Sequence, residues 1–188
     1  TKFKEPTYIG DPINAIRLFN DLEADEIIIL DIDASKSDNS PNLNIIEDIV
    51  SEAFMPVAYG GGINNKILAG KILRLGVEKI IFNNAAQQDE SIVRECIDSF
   101  GASSVVVCVD YKENYSGINQ QFNHVNSVVT DLSLVEAVVR AQKLGVGEIM
   151  INSIDQDGTG NGLDFKMLNQ IPKKINKSII MSGGCGNS

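Results

Sequence analysis

The side chains that could do chemistry in this chain stand at the ends of short apolar runs. Val105 to Val109 is such a run, and Asp110 closes it. A carboxylate at the end of a buried strand can be tuned by burial to give and take protons near neutral pH. It can equally cap the loop that follows, and Asp110 alone does not separate the two roles. Gly60-Gly61-Gly62 follows the run Met55 to Tyr59, and Gly183-Gly184 follows Ser178 to Met181. Successive glycines allow left-handed backbone and expose N–H groups, which suits a bound phosphate as well as a tight turn. Asp157-Gly158 and Asn83-Asn84 close two further runs and add weight to the anion reading.

Composition narrows the chemistry. The single histidine, His124, argues against a histidine-rich metal site or a Ser-His-Asp triad, so acid–base work falls to carboxylates. His124 itself reads as a loop residue. Neither a metal nor a cofactor is expected. Cys96, Cys108 and Cys185 are odd in number and lack metal spacing, so they read as reduced thiols packed in a core or on a helix face. A net charge of −9 argues against a nucleic-acid backbone as partner, which would need a basic patch. No apolar run approaches the roughly 18 residues of a membrane span, and no signal peptide opens the sequence. A cytoplasmic protein with no membrane partner is expected.

These residues need elements to hold them. After an irregular stretch, Thr1 to Ile9, Asp11 and Pro12 start a helix predicted to reach about Leu22, with Ile13, Ile16, Leu18 and Phe19 as its apolar positions. The pattern then predicts a strand from 27 to 32, a polar loop from Ser35 to Pro41, and a helix from 43 to 53. A strand from 56 to 59 leads into the triple glycine, and a helix from 64 to 75 ends at Gly76. A strand at 79–82, a helix at 90–99 and a strand at 104–109 follow. Tyr111 to Asn126 reads as a long polar loop with room for a short hairpin. Asp131 is expected to cap a helix from 132 to 144, ended by Gly145. A strand at 148–152, a helix at 164–171 and a strand at 178–181 complete the chain.

The organising stretch is Glu148 to Gly162, an apolar run that breaks into Asp155, Asp157, Gly158, Gly160 and Gly162. It has a twin. Glu26 to Asp33 matches Glu148 to Asp155 position by position at Ile27, Ile29 and Ile32, and the same offset carries Gly61-Gly62 onto Gly183-Gly184. Two landmarks in one register predict a duplicated half-domain. Strand–helix alternation with apolar strands is the pattern of a parallel sheet under helical cover. Duplication, with polar residues at each strand's C-terminal end, points to a (β/α)8 barrel of two-fold half-barrel repeat, whose βα loops build the active site. One barrel domain over residues 1–188 is expected, with its first strand before Thr1 and its last after Ser188. A doubly wound open sheet is the alternative. It lacks support, since no run is followed by G-x-G-x-x-G with an acid about 20 residues on.

An ordered set of motifs runs through the chain: GDP at 10–12, DEIIILDI at 25–32, GGGI at 60–63, GVEKIIFN at 76–83, VVVCVD at 105–110, SIDQDGT at 153–159 and SGG at 182–184. Together they closely resemble the cyclase subunit of imidazole glycerol phosphate synthase, the histidine-pathway member of a two-fold repeated barrel family. The resemblance implies an enzyme that uses ammonia from a glutaminase partner. Its substrate would be a bis-phosphorylated ribulosyl aminoimidazole carboxamide, converted to imidazole glycerol phosphate and an aminoimidazole carboxamide ribotide. Two aspartates would act as acid and base. Asp110 matches the second, and the first would lie on the strand expected before Thr1. One phosphate would rest against Gly61, Gly62, Asn83 and Asn84, the other against Asp157, Gly158, Gly183 and Gly184. Asp31, Asn152 and Ser182 would line the pocket. Glu26, Lys79 and Glu148 open three strands, where solvated charge is the ordinary reading. The resemblance instead places them in a ring through which ammonia enters.

The sequence departs from the family's pattern at Tyr59, where a small aliphatic residue is usual, at Asn84, where threonine is usual, and in the loop after Asp110. Such departures suit a paralogue that delivers ammonia to form an amidine on a surface-polysaccharide sugar. Two other readings stay open: the sister aminoimidazole isomerase, which needs no ammonia, and a non-catalytic phosphate-binding module.

Overall fold

In a computed structural model that describes residues 10–36 and 40–186, local sequence rules set most element boundaries. Helix α1 (Pro12–Asp21) starts where Asp11 accepts the Ile13 N–H at 2.8 Å, with Pro12 in the first turn. Strand β1 (Ile27–Leu30), helix α2 (Ile32–Lys36) and helix α3 (Leu43–Glu52) follow. Asn42 caps α3, and Asn65 caps helix α4 (Lys66–Arg74), which follows strand β2 (Val57–Gly60). Strand β3 (Lys79–Phe82), helices α5 (Asn84–Gln88) and α6 (Glu90–Phe100) and a 3-10 turn (Ala102–Ser104) complete the first part of the chain.

The described residues form two compact units that divide between Val105 and Val106. In the first, β1, β2 and β3 pair in parallel. All four residues of β2 are buried, as are Ile80, Ile81 and Phe82 of β3. Strands without alternation are the mark of a sheet covered on both faces. Ala69 and Ile72 of α4 and Val93 and Cys96 of α6 supply the apolar cover.

The second unit takes in strand β4 (Val105–Glu113) from Val106 on, followed by β5 (Asn119–Asn123), β6 (Val128–Ser133), helix α7 (Leu134–Leu144), β7 (Glu148–Ser153), helix α8 (Phe165–Leu168) and β8 (Ser178–Ser182). Here β4, β7 and β8 run parallel, while β4, β5 and β6 form an antiparallel meander. Strand–helix alternation with parallel pairing is the architecture of a partial (β/α)8 barrel.

Three expectations need correcting. The stretch after Asp110 does hold a hairpin, but it is more than a loop: β4 continues to Glu113 and turns into the β5–β6 pair, giving eight strands among the described residues. The polar residues that suggested a loop pair with one another, as Tyr111 with Gln121 and Glu113 with Asn119. Asp131 lies within β6 and caps nothing. Ser133 starts α7 through a capping box with Glu136, whose carboxylate accepts the Ser133 N–H at 2.9 Å. The first strand stops at Leu30, because Asp31 turns the chain by accepting the Asp33 and Ala34 N–H groups at 3.2 and 2.9 Å. The irregular segment Thr1 to Ile9, the middle of the Ser35 to Pro41 loop and the last two residues lie outside the described residues.

The sequence repeat exists in three dimensions. Ile27 pairs with Val57 in the first unit, and its counterpart Ile149 pairs with Ile179 in the second, in identical register. Gly61 (φ +130°) leaves no room for a Cβ against the backbone of Asp31, and Gly183 (φ +91°) leaves none against that of Ser153. Gly62 packs over Ala34 and Gly184 over Gln156 in the same way. Asp31 and Ser153 are repeat partners, as are Ala34 and Gln156. The duplication therefore reaches backbone packing at the loops, beyond apolar pattern.

Candidate functional site

Asp110 sits deep in the second unit, 2% exposed. The ladder with β7 holds it opposite Asn152, one pair before that ladder ends at Tyr111 and Ser153. Asn152 Nδ2 donates to Asp110 Oδ1 at 2.8 Å, and the thiol of Cys108 lies 3.7 Å from the same oxygen. The ring of His124 approaches the other oxygen, with Nδ1 3.3 Å from Oδ2. That nitrogen is buried and outside hydrogen-bonding alignment. A buried carboxylate with its plane held by neighbours is a preorganised proton acceptor or donor.

The sequence reading missed His124 at this place. The signal that could have found it is the hairpin register: β5 returns antiparallel to β4 from Tyr111 onward, so residues just past Phe122 come back alongside Cys108 and Asp110. Tyr111, the next residue, donates its hydroxyl to Asp164 Oδ2 at 3.0 Å, and burial foremost pushes its phenol well above the usual range. Asp155 Oδ2 accepts the Glu113 N–H at 3.0 Å, tying the loop after β7 to the far end of β4.

The residues expected to hold phosphate follow strands in both units. In the second, the chain after β7 turns through Asp157, whose N–H bonds the Ser153 carbonyl at 3.0 Å, and Gly158 (φ +65°). Gly184 closes against this loop, its carbonyl accepting the Gly162 N–H at 2.7 Å, with Gly183 beside it and Ser182 paired to Asn152 in the β7–β8 ladder. In the first unit, Gly61 and Gly62 follow β2, while Asn83 follows β3 and precedes α5, which Asn84 begins. The Asn83 side chain accepts from Gln87 Nε2 at 3.0 Å. Backbone N–H groups presented by glycines in left-handed conformations form anion-binding concavities.

Asp31 has as a neighbour the residue that departs from the family's small aliphatic position. Tyr59, 3% exposed, donates its hydroxyl to Asp31 Oδ2 at 3.1 Å. Burial first, then the Asp31 charge, raises the Tyr59 phenol beyond its ordinary value. Glu26 and Lys79 open β1 and β3 as a half-buried ion pair, Nζ to Oε2 2.9 Å. Glu148 opens β7 in the second unit. Of the cysteines, Cys96 and Cys108 are buried as expected, and burial pushes the Cys96 thiol up to about 11. Cys185 is exposed, against the expectation of core or helix-face packing, because it lies in the open loop after β8. Among the described residues no group of three or more His, Cys, Asp and Glu side chains could hold a metal ion, and no helix is long and apolar enough to cross a membrane.

Parallel strands under helical cover, a half-domain repeat and glycine-rich loops after the strands define an α/β protein of the duplicated barrel class. The chain belongs to the histidine biosynthesis protein family, whose model matches residues 1–188. A relative from Pseudomonas aeruginosa, provisionally named imidazole glycerol phosphate synthase subunit hisF2, is 44% identical over 99% of this chain and 74% of its own length. One from Vibrio vulnificus, provisionally named subunit hisF3, is 39% identical over 98% of this chain and 72% of its own length. The imidazole glycerol phosphate synthase subunit HisF of Bacillus cereus is 33% identical over 96% and 71%.

Proposed function

We propose that this chain is the ammonia-dependent cyclase and lyase subunit of a glutamine amidotransferase. Its substrate is the bis-phosphorylated ribulosyl aminoimidazole carboxamide, and its products are imidazole glycerol phosphate and the aminoimidazole carboxamide ribotide. The observation that carries the reading is Asp110: a buried carboxylate near the end of a parallel ladder, held by Asn152, in a chain of this family. Asp110 serves as one member of an acid–base pair. It moves protons as ammonia nitrogen adds to the substrate and the imidazole ring closes. Gly61, Gly62, Asn83 and Asn84 hold one phosphate; Asp157, Gly158, Gly183 and Gly184 hold the other. Asp31, Asn152 and Ser182 line the pocket. Glu26, Lys79 and Glu148 admit ammonia from a separate glutaminase subunit in the cytoplasm, with no metal or cofactor.

The test is turnover of that bis-phosphate by the full-length protein with an ammonium salt supplied directly. Cyclisation that falls by about 10²- to 10⁴-fold in Asp110→Asn, the range for a general acid or base, supports the reading. A folded protein with no turnover rejects it.

A second reading has support of its own. The more similar relatives carry the numbered names hisF2 and hisF3, and Tyr59 fills space beside Asp31 with a bonded phenol. A paralogue would keep the ammonia chemistry and direct it to another acceptor, such as a surface-polysaccharide sugar. Retained glutaminase binding without turnover of the histidine-pathway substrate favours this reading.

A further inference from the structure

The β5–β6 hairpin brings the chain's one histidine to the carboxylate on which the proposed chemistry depends. The His124 side chain is 11% exposed, and its Nδ1 lies 3.3 Å from Asp110 Oδ2. The opposite oxygen, Oδ1, accepts from Asn152 at 2.8 Å and faces the Cys108 thiol at 3.7 Å. The two sides of the carboxylate therefore meet different chemistry: fixed neutral donors on one, a titratable imidazole on the other.

Local structure holds the imidazole there. His124 directly follows β5, where the side chain of Asn123 accepts the Asn126 N–H at 3.0 Å and tightens the turn into β6. Asn123 and Gln121 are each 8% exposed, so the hairpin is packed at this end. A polar nitrogen that is buried beside a buried carboxylate, yet not aligned for a hydrogen bond, is costly unless a neighbour or a function engages it. A small rotation of the ring would align it with Oδ2.

We propose that His124 is a positioning residue and proton relay for Asp110. Rotated onto Oδ2, the imidazole fixes the carboxylate plane. The proton that Asp110 takes from the substrate passes from Oδ2 to the unprotonated Nδ1 of the neutral His124 ring, which becomes imidazolium; in the second half of the cycle Nδ1 returns it to Oδ2, and Asp110 gives it to the departing product. Asp110 is thereby ionised again before product leaves, and no oxidant or further reactant is required. The proposal rests on the acid–base role given to Asp110 above.

The experiment uses the full-length protein with ammonium salt and the bis-phosphate. His124→Gln, close in volume and unable to carry a charge, is expected to lower kcat by about 10- to 100-fold with KM little changed, and the double variant with Asp110→Asn is expected to be no slower than Asp110→Asn alone. Wild-type kcat in His124→Gln overturns the relay. Multiplicative losses in the double variant also overturn it, because they mean independent action. If the wild-type protein does not turn over this substrate, the function proposed above fails and the pair is read by NMR instead. The ring signal of His124, assigned by its loss in His124→Gln, is expected to move in Asp110→Asn. An unmoved signal overturns the pairing itself.

Discussion

Asn152 donates to Asp110 at 2.8 Å, and the two residues are also direct backbone partners in the β4–β7 ladder. The ladder thus fixes both ends of the hydrogen bond, main chain and side chain. Replacing Asn152 by Leu keeps the volume and removes the donor. We expect Asn152→Leu to lower stability by about 1–3 kcal/mol, the cost of leaving a buried acceptor short of a partner. A urea-denaturation midpoint equal to that of the wild type would show that the bond contributes nothing. Turnover should fall with it, since Asp110 loses the donor that holds Oδ1 at 2.8 Å.

Gly61 and Gly183 make the same backbone contact in the two halves, so they should respond alike. Each has a positive φ, and each would drive a Cβ into backbone of its own half, Gly61 into Asp31 and Gly183 into Ser153. Alanine at either position is expected to cost about 1–3 kcal/mol from backbone strain, with further loss from the clash. Gly145 provides the comparison: its φ is +90°, yet nothing lies within 4 Å of an added Cβ, so Gly145→Ala feels strain alone. Thermal midpoints of the three variants, with Gly145→Ala highest, check this. Equal midpoints would mean that the repeat contact is slack.

Burial raises the phenols of Tyr59 and Tyr111 above their ordinary value of 10.0. The folded state favours neutral tyrosine, while the unfolded chain ionises near 10. Stability from this source is therefore full below about pH 10 and declines as pH rises above it, because ionisation favours unfolding. Tyr59→Phe removes one such group. Its denaturation midpoint should fall less steeply than the wild type's between about pH 9.5 and 11. A parallel decline in both proteins would refute the assignment for Tyr59.

How much of this was legible in the sequence follows the range of the interactions involved. The Asp11 cap, the Gly76 and Gly145 helix ends and the apolar strands depend on neighbours within a few residues, and the pattern states them. The repeat was legible because duplication copies residue types along with packing, as Gly61-Gly62 and Gly183-Gly184 show. The hairpin after Asp110 was legible only as room within a polar loop, and its strands and register were not. Its strands carry Gln120, Gln121, Asn119 and Asn123, residues of turn-like type whose pairing depends on register against β4. With the register hidden, His124 reads as a loop residue. Asp131 misled for a related reason: it is a good cap by type, but β6 claims it, and Ser133 with Glu136 makes the stronger start two residues on. The Tyr59 hydroxyl bond to Asp31 spans two strands and has no local signature at all.

The ion pair at the strand starts offers a test of ammonia entry apart from ring chemistry. Lys79 and Glu26 meet at 2.9 Å with most of each side chain covered, and the second carboxylate oxygen of Glu26 is buried without a hydrogen-bond partner. Lys79→Met leaves that carboxylate unpaired, which is expected to cost about 1–3 kcal/mol. Adding Glu26→Gln removes the charge, so the double variant should recover part of the loss. If the pair also forms part of an ammonia entrance, the double variant loses glutamine-driven turnover in the presence of a glutaminase subunit but keeps turnover driven by ammonium salt. The ratio of the two rates is the reading that matters, because it cancels any general loss of activity. A ratio unchanged from wild type would assign Glu26 and Lys79 to stability alone.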